Sequence, residues 1–220
     1  KNLDNRTTAI SENNFQYIKN NLGFVKTNIF WPCEKINLFF EDKKKIINFL
    51  NFNETKKNFM YIFQNKNLKN KLEQIVFSQK NIKLIKKNIQ NIYYEDSSIL
   101  VDKKKVYYDL VILSIGRLSK FYSKIEGGRS IKKNYEEVAV TGIFKHNAKI
   151  KNPSQFFLKE GPLAVLPFKK NIFSAVWSVN INYFKDNEQN LKKILIKRLK
   201  ELLNIKKIEN INGIQSFSIY

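Results

Sequence analysis

Two side chains in this sequence could serve as nucleophile or general base near neutral pH: the lone cysteine, Cys33, and the lone histidine, His146. One histidine is too few for a histidine-cluster metal site or for a His-relay triad with ligands to spare, and no metal site is expected. Cys33 follows Trp31-Pro32 and precedes Glu34, with no basic neighbour nearer than Lys35, so it reads as a buried, inert thiol. Glu136 and Glu137 would point to opposite faces of a strand, which makes them a poor acid–base pair. Neither a Gly-rich dinucleotide loop nor a phosphate-binding loop is present. No catalytic side chain is singled out. A borrowed reactive centre, with the protein supplying position and electrostatics, fits this inventory better than side-chain chemistry does.

The elements that would position such a centre alternate between helix and strand. The spacing predicts a helix over 7–21, with Thr7 or Thr8 as N-cap, Phe15, Ile18 and Leu22 on one stripe and Gly23 as its stop. Short apolar runs at 36–40, 46–49 and 59–62, parted by charged turns, predict antiparallel strands. Leu68, Leu72, Ile75 and Val76 predict a second helix. The continuous run at 108–115, ending in Gly116, reads as a buried parallel strand whose carboxyl end faces a ligand. The segments 138–144, 155–158, 162–168 and 172–179 are spaced as an antiparallel meander. A last helix, about 188–203, puts Leu191, Leu195 and Leu199 on one face and Lys192, Lys193, Lys197, Arg198 and Lys200 on the other. Such a basic amphipathic helix covers a sheet or lies on a membrane.

Composition bounds the classes. The 220 residues carry 40 Lys+Arg against 19 Asp+Glu, a net charge of +21, with 43% hydrophobic and 14% aromatic residues. That is ample material for a packed core and excludes a disordered basic tail. One cysteine excludes a disulfide scaffold and suits a reducing compartment, in keeping with a cytoplasmic location. The charge admits two readings. A lysine-rich nucleic-acid-binding module is one, but only Arg6, Arg117, Arg129 and Arg198 are arginines, and bidentate recognition of bases and phosphates relies on Arg. Lys, Asn and Ile share A/T-rich codons, so biased codon usage explains the excess without a polyanion, and no nucleic-acid partner is expected. No apolar run reaches the length of a transmembrane helix. The chain begins Lys1-Asn2 without Met and reads as an internal piece of something longer.

Several segments together resemble the flavin-dependent aromatic hydroxylases of ubiquinone biosynthesis, members of the class A FAD-dependent monooxygenases. Asp4-Asn5-Arg6-Thr7-Thr8-Ala9-Ile10 is similar to a stretch whose arginine lies beside FAD, and Tyr61-Ile62-Phe63-Gln64-Asn65 to the entry of a helix flanking the flavin. The run ending Ile115-Gly116-Arg117-Leu118-Ser119 resembles the second nucleotide motif, Ala-Asp-Gly-Arg-x-Ser. It departs from that motif at Ile115, which stands in place of the Asp, and at Tyr122, where a later Arg is common. Tyr135-Glu136-Glu137-Val138-Ala139-Val140, His146, Gln155, Phe157, Gly161-Pro162-Leu163-Ala164-Val165-Leu166-Pro167-Phe168 and Val176-Trp177-Ser178 resemble the substrate-domain sheet.

The resemblance implies an α/β fold with mixed sheets. Residues 1–22 and 62–130 would be parts of a split, Rossmann-like FAD-binding domain, and 23–61 and 131–220 an antiparallel-sheet substrate domain. It implies FAD held by Arg6, Asn65 and Gly116, and a substrate met by Pro162, Leu163, Leu166 and Pro167. NAD(P)H would reduce the flavin, and one atom of O2 would pass to a polyprenylated phenol. It further implies peripheral contact with the inner membrane and partners among other quinone-biosynthesis proteins. An isoprenoid-lipid flavin reductase or epoxidase branch is the alternative within the superfamily. The family's Gly-rich ADP-binding loop would precede Lys1 and its later Gly-Asp-Ala-Ala-His segment would follow Tyr220. The stretch by itself is therefore expected to bind FAD weakly and not turn over.

Overall fold

A computed structural model describes residues 6–23, 28–43, 45–53, 58–115, 121 and 135–219. In chain order the elements are β1 (Thr7–Ser11), α1 (Glu12–Leu22), β2 (Trp31–Cys33), β3 (Lys35–Asp42), β4 (Lys45–Asn53), β5 (Met60–Gln64), α2 (Asn65–Ser78), β6 (Ile89–Tyr93), β7 (Ser98–Val101), β8 (Lys104–Tyr107), β9 (Glu137–His146), β10 (Ser154–Leu158), β11 (Gly161–Lys169), β12 (Ile172–Asn180), α3 (Ile181–Asn187), α4 (Leu191–Leu203) and β13 (Ile208–Ile219). The chain divides into two compact units, 1–75 with 134–220, and 76–133.

The first unit is built on a seven-stranded sheet of order β13-β9-β12-β11-β10-β3-β4, antiparallel except where β10 runs parallel to β3. Alternation decides its two faces. One register row, Phe39–Phe156–Leu163–Trp177–Val140, turns to one side, and its last four members are buried in a core with Val165, Phe173 and the α4 leucines Leu191, Leu195 and Leu199. Each of those leucines contributes about 1.5–3 kcal/mol by leaving water. The final helix thus covers the sheet with its apolar face. The neighbouring row, Leu50–Leu38–Gln155–Ala164–Val176–Thr141–Gln215, turns to the opposite side and is only half-buried from Leu38 to Gln215. Toward the β2 end of that side, Ile143, Leu166 and Phe168 pack on Cys33 and Ile62 from a small second sheet, β1-β5-β2.

The predicted helix over 7–21 proves to be a strand followed by a helix. Thr7, Thr8 and Ile10 are β-branched and enter a ladder with β5, from Thr7↔Gln64 to Ser11↔Met60. The helix then starts one turn later, capped by Ser11, whose Oγ accepts from the Asn14 N–H at 3.4 Å, and ends at Gly23 with φ 64.

The second unit holds the three-stranded antiparallel sheet β6-β7-β8. The run at 108–115 is not the buried parallel strand expected from its composition: it enters no ladder, and Leu110 and Ile112 are 79% and 82% exposed. A buried parallel strand requires partner strands at its edges and layers over its faces, and no strand among the described residues pairs with it. No helix among the described residues is long and apolar enough to cross a membrane.

Candidate functional site

Arg6 and Asn65, distant in sequence, are brought together by the β1–β5 ladder. The pairing Thr7↔Gln64 sets the residue before β1 against the residue after β5, and the Asn65 backbone N–H donates to the Arg6 carbonyl at 3.0 Å. Thr8 Oγ1 donates to Asn65 Oδ1 at 2.6 Å, which fixes the amide and leaves its N–H groups free to donate. The neighbouring Thr7 hydroxyl is buried and has no hydrogen-bond partner among the described residues. The corner therefore joins an exposed arginine, amide donors and the first turn of a 14-residue helix, whose N-terminal dipole favours an anion. Gly116, the third residue expected at the cofactor, lies outside the described residues. The sequence names Thr8 only as a candidate N-cap and within the Arg6 stretch; a hydroxyl two residues from Arg6 on a strand is the signal that points to its bond with Asn65.

The four residues expected at the substrate all lie on β11 and are split by its alternation. Pro162 is exposed and Leu166 half-buried on the side away from α4, whereas Leu163 is fully buried in the α4 core and Pro167 is buried on the same parity. The open side around Pro162 is apolar. Pro162 pairs with Phe157, which pairs with Phe40, and these two aromatic rings are 43% and 50% exposed. Ala164 and Val176 continue that surface toward Leu166. A flat, apolar, partly exposed sheet face of this kind offers shape and exclusion of water to a planar ring, and no acid or base.

Other candidate groups are placed elsewhere. Cys33 is fully buried, and desolvation, with Glu34 adding to it, pushes its thiol up to about 12, so no thiolate is present near neutral pH. Of the two adjacent acids, Glu136 precedes the strand with φ 53 and only Glu137 belongs to β9, so they do not form a paired site on it. Arg198, read from the sequence as part of a solvated basic face, instead turns inward: its Nη2 donates to Glu41 Oε2 at 2.9 Å and to Glu160 Oε2 at 2.8 Å. Among the described residues no group of three or more His, Cys, Asp or Glu side chains could hold a metal ion.

His146 ends β9 with 4% of its surface exposed, its ring 5.2 Å from that of Phe173. Burial pushes its pKa below the ordinary 6.5, with only the Ala148 backbone opposing. A folded-state pKa below the unfolded one means that the unfolded chain takes up the proton first. The His146 contribution to stability is then complete above about pH 6.5 and is lost as the pH falls through that value toward the depressed pKa. Denaturation midpoints measured across this window are expected to fall in the wild-type chain, and His146→Gln is expected to flatten that part of the profile. An equal slope in both proteins would refute the assignment.

Searches by sequence against family models and against curated proteins find no match. Solved structures do match. PqsL, a probable FAD-dependent monooxygenase from Pseudomonas aeruginosa, superposes with a TM-score of 0.75 at 9% identity, over 94% of this chain and 63% of that one. A geranylgeranyl bacteriochlorophyll reductase-like protein from Thermoplasma acidophilum gives 0.68 at 15% identity, over 96% of this chain and 55% of the other. The halogenase PltM, solved in complex with phloroglucinol and FAD, gives 0.66 at 14% identity, over 91% and 46%. The chain spans about half the length of these neighbours. At such identities the likeness is one of fold: this chain has the mixed α/β fold found in part of the structures of FAD-dependent monooxygenases and halogenases.

Proposed function

We propose that the chain is the central part of an FAD-dependent monooxygenase that hydroxylates a polyprenylated phenol in ubiquinone biosynthesis, with NAD(P)H and O2 as co-substrates. The fold likeness to PqsL supports the flavoenzyme class, and the ordered motif series from Tyr135 to Ser178 supports the substrate. FAD suits the residues present. Arg6, the free Asn65 amide donors and the start of α2 are the donor set an anionic dinucleotide takes, and the unpartnered Thr7 hydroxyl lies beside them. Bound there, FAD would supply the redox chemistry that the side chains lack.

The chain's own residues bind, orient and exclude water. Arg6 and Asn65 would hold the flavin, with Gly116 at its second nucleotide motif. Pro162 and Leu166, with Ala164 and Val176, would roof the phenol ring, while Leu163 and Pro167 hold β11 from behind. The membrane contact demanded by a polyprenyl tail falls more naturally on β4 than on α4, because Ile46, Ile47, Phe49, Leu50 and Phe52 are all exposed while the α4 leucines are buried. The likeness to a geranylgeranyl reductase-like protein favours one second reading, reduction of an isoprenoid lipid on the same fold.

The test uses the protein expressed with its neighbouring coding sequence. It should purify yellow, with Arg6→Ala binding FAD about tenfold more weakly through loss of a charge-assisted contact. NAD(P)H oxidation should then depend on O2 and leave a polyprenyl phenol enriched by one oxygen atom, read by mass spectrometry. A yellow protein that saturates an isoprenoid double bond would select the reductase reading, and a colourless one would refute both.

A further inference from the structure

Where β9, the end of α4 and the start of β13 meet, the surface of the first unit sinks into a concavity of about 390 Å³ whose wall includes His146, Lys145, Lys200, Lys206, Lys207 and Glu209. The strand register builds it: His146 pairs with Ile208 and Lys145 with Glu209, while the turn after α4, closed by the Ile205 N–H on the Lys200 carbonyl, presents Lys206 and Lys207. All four lysines are exposed, and no ion pair engages them among the described residues. Four ammonium groups face one carboxylate. The partial negative charge of the α4 carboxyl end, about half an elementary charge, does not offset that excess.

His146 is a second and independent observation. Its imidazole is more than nine-tenths buried and lines the concavity, yet neither Nδ1 nor Nε2 makes a hydrogen bond of good geometry, the Ala148 backbone being the polar group that acts on the ring. A buried polar group without a well-placed partner is costly, so a ring whose N–H is left in that state at the base of a lysine-rimmed hollow calls for a ligand that accepts from it. The volume is at the small end of ligand pockets and suits a compact, multiply charged head group. Lysines act as point charges with three donors each, which matches the spread charge of phosphate better than the planar fork of a single carboxylate.

We infer that this concavity binds a phosphate or diphosphate group, with His146 donating from its base and Lys145, Lys200, Lys206 and Lys207 enclosing the anion. The inference rests on the side chains of β9, α4 and β13 and is independent of the flavin reading. The same chemistry is offered by a soluble phosphorylated metabolite and by a phospholipid headgroup.

Linkage makes it measurable. The charged groups that line the concavity with His146 are Lys145 from its own strand, Glu209 from β13, Lys200 from α4, and Lys206 and Lys207 from the turn; β12 contributes only the uncharged Phe173 ring, the Ala148 backbone acts on the imidazole, and the Asn171 carbonyl is taken by the His146 backbone N–H. An anion seated against the ring favours imidazolium, so binding must strengthen as the pH falls, and the ligand must raise the His146 midpoint by the same factor.

Because His146 is the only histidine, its imidazole signal in a proton NMR spectrum of the full chain is unambiguous. Titration with inorganic pyrophosphate is expected to raise the His146 midpoint by about one unit, equivalent to tenfold tighter binding to the protonated ring. Lys206→Ala combined with Lys207→Ala, both exposed and outside the core, should weaken binding at least tenfold at unchanged thermal stability. A parallel arm uses vesicles of phosphatidylcholine with and without phosphatidic acid. A His146 shift with pyrophosphate assigns a soluble ligand, and one with phosphatidic acid alone assigns a headgroup. A His146 signal unmoved in both arms, or pyrophosphate binding that the double variant leaves intact, would overturn the inference.

Discussion

Gly161→Ala is expected to destabilise the chain by about 3–5 kcal/mol, a large share of the 5–15 kcal/mol that holds an ordinary domain together. Gly161 opens β11 with φ 130, a conformation that L side chains rarely adopt, and a Cβ built there would lie 2.0 Å from the backbone oxygen of Ser178. That oxygen belongs to β12, so the clash cannot be relieved by a rotamer change; one strand must move. The neighbours make the move expensive. The Gly161 carbonyl accepts from Trp177 Nε1 at 3.3 Å, and Trp177 is fully buried between Leu163, Val140 and the helix-side core. Shifting β11 therefore opens the packing of the largest fully buried side chain described. Gly23→Ala is the control, since Gly23 also has positive φ, 64, but its Cβ would meet nothing within 4 Å. It should cost only about 1–2 kcal/mol, the backbone penalty alone. Equal losses for the two, measured by urea denaturation, would show that conformation and not the β12 contact decides the effect at Gly161.

Much of this sheet is legible in the sequence because its pattern is local. The segments 138–144, 155–158, 162–168 and 172–179 alternate in hydrophobicity and fall on β9 to β12, and Leu191, Leu195 and Leu199 mark the helix that covers them. Legibility fails where pairing decides. Phe15, Ile18 and Leu22 have helical spacing and pack with Ile10 in the same small cluster, yet Ile10, inside the predicted helix, reaches it from a strand because β5 is there to pair with. The run at 108–115 reads as buried from its composition, but composition cannot supply the neighbouring strands that burial requires. For the site, resemblance names Arg6 and Asn65 and the ladder puts them together. It cannot divide Pro162 and Leu166 from Leu163 and Pro167, because that division depends on which face α4 covers. The hollow around His146 draws on three elements separated in sequence, and no local spacing announces it.

Arg198→Met is expected to cost about 2–4 kcal/mol at neutral pH, a loss that should shrink as the pH is lowered. Arg198 stands on α4 among lysines, and helical spacing alone assigns it to the solvated face. One sign pointed the other way: it is one of only four arginines among 40 basic residues, and a planar fork is what a two-carboxylate partner needs. Its Nη2 reaches Glu41 on β3 and Glu160 in the β10–β11 turn, so a single side chain ties the helix to two separate parts of the sheet. The side chains of Arg198, Glu41 and Glu160 are 20%, 11% and 22% exposed, so solvent screens the network little, and Glu41 also accepts from the Lys159 backbone N–H at 3.1 Å. Methionine keeps the apolar stem and removes the charge. Two poorly solvated carboxylates are then left facing each other with no cation between them, and a proton on either relieves that repulsion in the folded variant. The folded variant therefore binds protons more readily than the unfolded chain does, and acid restores part of the lost stability as those carboxylates neutralise. Arg198→Lys, which keeps charge without the fork, should recover about half. If the deficit of the methionine variant stays constant from neutral pH down into the carboxylate range, the loss comes from packing of the stem and the network is electrostatically idle.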